Sequence, residues 1–159
     1  MFGIYNAWII DTWSGTVASL DRFAHRMRLR GRNVTENTDK LVRKVALITD
    51  QAVVSATPVD TGRAKSNWLV QVGSSPNTAI EPYVPGKFGS TAAENTQAAI
   101  DQASSAISGY TSGSEIYITN NLPYIQKLNN GSSAQASANF VQQAVLEGAA
   151  AVHTARILD

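Results

Sequence analysis

The stretch Ala56-Thr-Pro-Val-Asp-Thr-Gly-Arg-Ala-Lys-Ser-Asn-Trp68 decides how this chain folds. Upstream of it, from Asn37 or Thr38, Leu41, Val45, Ile48, Ala52 and Ser55 recur by fours and threes, with Val42, Thr49 and Val53 beside them. Arg43, Lys44, Asp50 and Gln51 fall on the other side, so the spacing predicts an amphipathic helix ending at Ala56. Downstream, Trp68, Val70 and Val72 alternate with Asn67, Leu69 and Gln71, which predicts a half-buried strand from Ser66 to Gly73. Between the two, Pro58 lacks an amide donor and pushes Thr57 out of the helical region. Asp60 and Thr61 can bond their own backbone and Gly62 can take positive φ, which makes a tight turn. The stretch converts a helix into a strand, with Trp68 entering the core.

Working toward the N-terminus, Arg22, Arg26, Arg28, Arg30, Arg32, Lys40, Arg43 and Lys44 outnumber Asp21, Glu36 and Asp39 between residues 21 and 44, and Gly31 interrupts the run. Such a cluster is either a solvated charged face or a local positive field that meets phosphates. Before it, Phe2, Ile4, Tyr5, Trp8, Ile9, Ile10 and Trp13 form a dense apolar run. This run packs on the protein's own core or docks on a neighbouring chain, with Trp8 and Trp13 as contacts. It has no basic lead and meets Asp11 too early for a secretory signal or a spanning helix. Residues 1–37 are read as an N-terminal arm and 38–159 as the core of a single domain.

Toward the C-terminus, residues 73–90 hold Pro76, Pro82 and Pro85 together with Gly73, Gly86 and Gly89, which excludes regular ladders. Tyr83, Val84 and Phe88 make the segment too apolar for a free linker. It is read as a binding loop that orders against something, with Tyr83 and Phe88 as subunit contacts. Residues 91–108 form an Ala-rich helix whose narrow face Ala92, Thr96, Ala99, Ala103 and Ile107 predicts light packing and a peripheral, inserted position. A second strand runs from Glu115 to Asn120, a helical turn from Leu122 through Tyr124 to Leu128 ends near Gly131, and a second long helix runs from Asn139 to about Leu158. The expected stripe of this last helix is Val141, Val145, Gly148, Val152 and Ala155, broadened by Phe140, Ala144 and Leu158, with Gly148 letting another backbone approach. The fold class expected is α+β: a small antiparallel β-sheet packed by two long α-helices, with an inserted helix and a long Pro/Gly loop.

Composition narrows the chemistry. The chain has 159 residues, a formal net charge of +1 and no cysteine, which leaves no disulfide, thiolate metal site or thiol catalysis. Its 2 histidines, His25 and His153, lie far apart in sequence and no carboxylates cluster with them. No Ser-His-Asp order or phosphate-binding loop occurs, so no enzyme, cofactor or metal is expected. One triplet stands apart: Asp60-Thr61-Gly62 is the active-site triplet of aspartic proteases. There it follows an apolar strand, and two chains share a proton between two carboxyls. Here it follows a helix and a proline, and Arg63 would hold the carboxylate ionised. The protease is the least favoured alternative.

The order Pro58-Val-Asp-Thr-Gly-Arg63 followed by Ser66-Asn-Trp68 resembles the tail-completion, or head–tail joining, proteins of long-tailed bacteriophages. The segment Ile116-Tyr-Ile-Thr-Asn-Asn-Leu-Pro-Tyr124, then Leu128 to Gly131 and Phe140 to Ala144, is similar to the second half of that family. The resemblance covers roughly residues 38–72 and 114–148. Where many relatives have an acidic residue and Gly-Thr after the Tyr turn, this chain has Lys127-Leu-Asn-Asn-Gly-Ser132. The resemblance implies a structural protein of the virion neck, assembled in the host cytoplasm and contacting no membrane. It implies a homo-oligomeric ring, commonly of six subunits, between the head-side connector and the tail terminator around the DNA channel. Pro58, Asp60, Gly62, Arg63, Trp68, Tyr124 and Gly131 would shape turn and core, and Arg26, Arg28 and Arg30 would face DNA in the channel or a neighbouring ring. A tail terminator or head-closure protein of the same neck is one alternative. A nucleic-acid-binding module using Arg22 to Lys44 is another.

Overall fold

The structure, a computed structural model, describes residues 10–155 and 157, with side chains described from Ser19 onward. It is an α+β fold in which helices accompany a two-stranded antiparallel sheet. Among the described residues the elements are α1 (Ile10–Ala56), α2 (Arg63–Ser66), β1 (Leu69–Val72), α3 (Ala92–Ser108), β2 (Ile116–Thr119), α4 (Ile125–Asn129) and α5 (Phe140–Ala150), closed by a 3-10 turn, Ala151–Thr154. The chain divides into two compact units, Met1–Asn37 with Arg156–Asp159, and Thr38–Ala155. Trp8 lies outside the described residues, and Trp13 is described in backbone only, within α1.

Helix α1 starts far earlier than expected. It is a continuous helix of 47 residues that passes through Gly31 without a break. A single exposed glycine costs a helix only about 1 kcal/mol relative to alanine, too little to end one flanked by good helix formers such as Arg, Leu and Met. In the first unit, Asn37 Nδ2 donates to the Ile157 carbonyl at 3.3 Å.

The second unit carries the core. β1 and β2 pair with Val70 opposite Ile118 and Gln71 opposite Tyr117. One cluster joins Val53 and Val54 of α1 to Trp68, Ala99, Phe140 and Ala144; a second joins Ala46 to Val70, Ala103 and Ile107. Both draw on α3, so α3 is no peripheral insertion. Alanines bury little area each, but they let α3 lie close against β1, and Asn95, Ala99, Ala103 and Ile107 form its buried face in place of the stripe through Thr96.

The last helix is shorter than expected, 11 residues plus the 3-10 turn, and the longer helix sharing the core clusters of α1 is α3, with 17 residues. The buried face of the last helix is Phe140, Ala144, Gly148 and Ala151, while Val145 and Val152 are exposed. Gly148 sets that register. A Cβ there would stand 1.9 Å from Thr49 Oγ1 and 3.2 Å from the Val45 carbonyl, so the backbone that Gly148 admits is that of α1 in the same chain. The Asn129 side chain accepts from the Val141 N–H at 3.0 Å and so caps the start of α5.

The buried face of α1 also departs from the expected stripe. Asp50, assigned to the solvent side, is wholly buried, whereas Ser55 is exposed. Arg43 is half-buried, donates to the Tyr110 carbonyl at 2.6 Å and lies over the Tyr110 ring at 5.5 Å.

Candidate functional site

The turn from α1 into the sheet organises everything near it. Thr57 ends the helix: its N–H and its hydroxyl both donate to the Val53 carbonyl, at 3.1 and 2.6 Å. The Trp68 indole N–H then donates to the Thr57 hydroxyl at 2.7 Å, which ties the entry of β1 to the exit of α1. Lys65 completes this cap. Its buried ammonium donates to the carbonyls of Val54 at 2.6 Å and Ser55 at 3.0 Å, satisfying the negative end of the helix dipole. Burial pulls the Lys65 pKa below its usual value, an effect these charge-assisted bonds oppose. Residues 63–66, with Ser66 expected to open the strand, instead form the helical turn α2, and this is what aims Lys65 back at α1.

Loop 73–90 orders against this turn through three amide and hydroxyl side chains. Asn67 Nδ2 donates to the Ile80 carbonyl while its Oδ1 accepts the Ile80 N–H, at 2.8 and 2.7 Å, the pairing a neighbouring strand would provide. Ser66 Oγ accepts from the Tyr83 N–H and donates to Asn95 Oδ1. Asn95 Oδ1 accepts the Val84 N–H and its Nδ2 donates to the Val84 carbonyl, at 3.0 and 2.7 Å. Gly62 makes this possible. Its φ is +85°, and a Cβ there would stand 2.3 Å from Asn95 Nδ2, so any other residue would strain the turn and displace the latch. Asn95 and Lys65 carry no role in the sequence reading, and Ser66 and Asn67 enter it only as strand and motif positions. The available signals were a polar Ser-Asn pair inside an alternating run and an asparagine in register with Ala99 and Ala103.

Asp60 pins the far end of the loop. Its carboxylate accepts the Phe88 N–H at 2.9 Å and its carbonyl accepts the Gly89 N–H at 2.8 Å. Phe88 is 95% exposed with a φ of 55°, an uncommon conformation for a residue with a Cβ. Tyr83 and Val84 are partly exposed beside it. Burial, and to a lesser degree the charge of Asp50, push the Tyr83 phenol pKa up.

The other expected residues fall in two places. Pro58, Asp60 and Tyr124 line one cleft of about 250 Å³ together with Val59, Leu128 and Gln135. Gly62 and Trp68 sit behind it in the turn and core. Gly131 takes a φ of +87° at the end of α4. Arg63 pairs with Glu81 at 3.1 Å on the surface. Among the described residues no second carboxylate or histidine lines the cleft, and the proton-sharing partner an aspartic protease needs would have to come from another chain.

In the first unit, helical geometry separates the arginines. At about 100° per residue, Arg22, Arg26 and Arg30 follow one another along one side, whereas Arg28 and Arg32 lie on another. All five are exposed. Between these rows, Leu20, Phe23 and Met27 form an exposed apolar stripe. Arg26, Arg28 and Arg30 therefore do not present a single face.

Among the described residues no group of His, Asp and Glu could hold a metal ion, and no helix is long and apolar enough to cross a membrane. Compared with known proteins, the chain matches no family model, no curated protein and no solved structure.

Proposed function

We propose that this protein is a structural component of a bacteriophage virion neck, forming a ring that joins the head-side connector to the tail terminator around the DNA channel. The observation that carries the reading is Phe88. The residues of the Pro58–Trp68 motif and Asn95 spend their hydrogen bonds on fixing a loop that presents a nearly bare phenylalanine to solvent. A chain built for chemistry concentrates reactive groups in a pocket; here the most elaborate bonding serves a contact surface. The exposed stripe Leu20, Phe23 and Met27 supplies a second such surface. Imaging of the particle decides the matter: the reading requires this chain as a closed ring between portal and tail, and its absence from the neck would end it. A tail terminator or head-closure protein is the neighbouring reading, separated by which layer the ring occupies.

A nucleic-acid-binding module is a second reading, favoured by the exposed row Arg22, Arg26 and Arg30. It requires steeply salt-dependent binding of the isolated chain to duplex DNA. The protease reading requires peptide cleavage that Asp60→Asn abolishes.

A further inference from the structure

The second unit contains both an open groove and an exposed aromatic anchor. The groove runs between α1 and the end of α5, with a volume of about 790 Å³. Its origin is local. Gly148 brings α5 against Thr49 of α1, and beyond that point both helices carry small side chains, Ala52 and Ala56 on one and Ala150 and Ala151 on the other. Ile48 adds a large apolar surface, and Lys44 and Glu147 stand among the lining residues. The anchor is Phe88, held in a left-handed conformation by Asp60 and followed by Gly89 at a φ of +75°. A phenylalanine whose backbone is held in this way loses little backbone freedom on binding, which favours a role as an interface anchor.

We propose that Phe88 seats in the α1–α5 groove of a second copy of this chain, with Lys87 meeting Glu147 of that copy. This rests on the ring reading above and names the contact that would build it. Three observations favour this occupant. The apolar part of the groove is Ile48 with the small side chains Ala52, Ala56, Ala150 and Ala151, which leave space that a protruding ring fills. The charge beside the anchor, Lys87, is opposite to that of Glu147, one of two charged residues in the groove with Lys44. The alternative receptor, the 250 Å³ cleft, is lined by Asp60, the residue that holds Phe88. Reciprocal exchange there would bring the Asp60 carboxylates of the two copies together. A knob and a groove at different places on one subunit give a head-to-tail contact, the kind that closes into rings.

The natural chain has no cysteine, so single-cysteine variants report the contact cleanly. Full-length Ser90→Cys chains, which keep Phe88 and Lys87, and Ala150→Cys chains are mixed at high concentration under mild oxidation. The mixed disulfide between the two variants is expected as the main product. A main product linking either variant to itself, or no mixed product, overturns the proposal. Independently, Lys87→Glu should weaken self-association at least tenfold, and Lys87→Glu combined with Glu147→Lys should restore it. Weakening without restoration also counts against the contact. Failure here is separable from failure of the neck reading. A ring imaged in the particle with no mixed product removes this interface alone, and a mixed product from a chain absent from the particle removes the neck alone.

Discussion

At the residue scale, Asp50 is the most exacting side chain in the protein. It is wholly buried on α1, and neither carboxylate oxygen has a hydrogen-bond partner among the described residues. Burial pushes its pKa from 3.8 to about 7, because an unpaired charge in the core is far costlier than a neutral carboxyl. The folded pKa exceeds the unfolded one, so folding is favoured most where both forms are protonated and stability falls as pH rises from about 4 to about 7. The slope is about 1.4 kcal/mol per pH unit at most, and the whole loss about 4 kcal/mol. Asp50→Asn should remove most of that slope, leaving the protein more stable than the natural chain at pH 8 and about equal to it only near pH 3, where Asp50 is protonated in both folded and unfolded forms. Chemical denaturation at both pH values measures this, and parallel pH profiles for the two proteins would refute it. The hinge supplies a second pair of outcomes. Asp60→Asn keeps the oxygen that accepts the Phe88 N–H and should cost under about 1 kcal/mol. Gly62→Val meets positive φ and Asn95 together and should cost on the order of 3 kcal/mol or more. Thermal melts that rank the two the other way would contradict the roles of Asp60 as a loop pin and Gly62 as the turn's left-handed residue.

At the scale of elements, the loop and its latch act as a unit. Asn95→Ala removes both bonds to Val84 and the bond from Ser66, so loop 73–90 should open locally while the core stays folded. Trypsin cleavage after Lys87 is the readout, expected to quicken about tenfold for each 1.4 kcal/mol of latch energy lost. Equal quickening after Arg43 and Lys127 would mean global loosening instead. The elements also show what the sequence could reveal. The helix stop at Pro58, both strands, the helix over residues 92–108 and the short turn before Gly131 follow from local signals, proline, glycine and two kinds of periodicity. The length of α1 did not, because Gly31 and a run of arginines look like a break to any local rule although they cost a helix little. The buried faces of α3 and α5 were legible in part: Ala99, Ala103 and Ile107, and Gly148 with Phe140 and Ala144, are buried as expected, whereas Asn95 was missed and Val145 and Val152 are exposed. Alanine and glycine give almost no hydrophobic contrast, so which face is buried is set by how closely another backbone can approach. Asn95 and Lys65 were hidden for a related reason: a polar residue in the core has no local signature, since its partners lie beyond the local window, 10 to 29 residues away across turns not yet placed.

At the scale of the whole molecule, a net charge of +1 conceals a strong asymmetry, with arginine concentrated on residues 22–32. If these arginines meet DNA, one row should meet it more closely than the other. Replacing Arg22, Arg26 and Arg30 by Gln should lower the salt-dependence slope of DNA binding by about 3, while replacing Arg28 and Arg32 changes it less. Neither set should prevent assembly, since the proposed subunit contact uses Phe88 and Glu147. Loss of assembly in the triple variant would place that row at a protein interface instead of the channel.

One quiet feature of the sheet bears on how such a chain can associate at all. Val70 of β1 turns its N–H and carbonyl away from β2, and the Gln102 side chain meets both, at 3.1 and 2.8 Å. The amide of one glutamine thus stands where a third strand would add. An open strand border invites stacking by other chains. With that border occupied, a chain meeting β1 at Val70 finds its backbone already engaged.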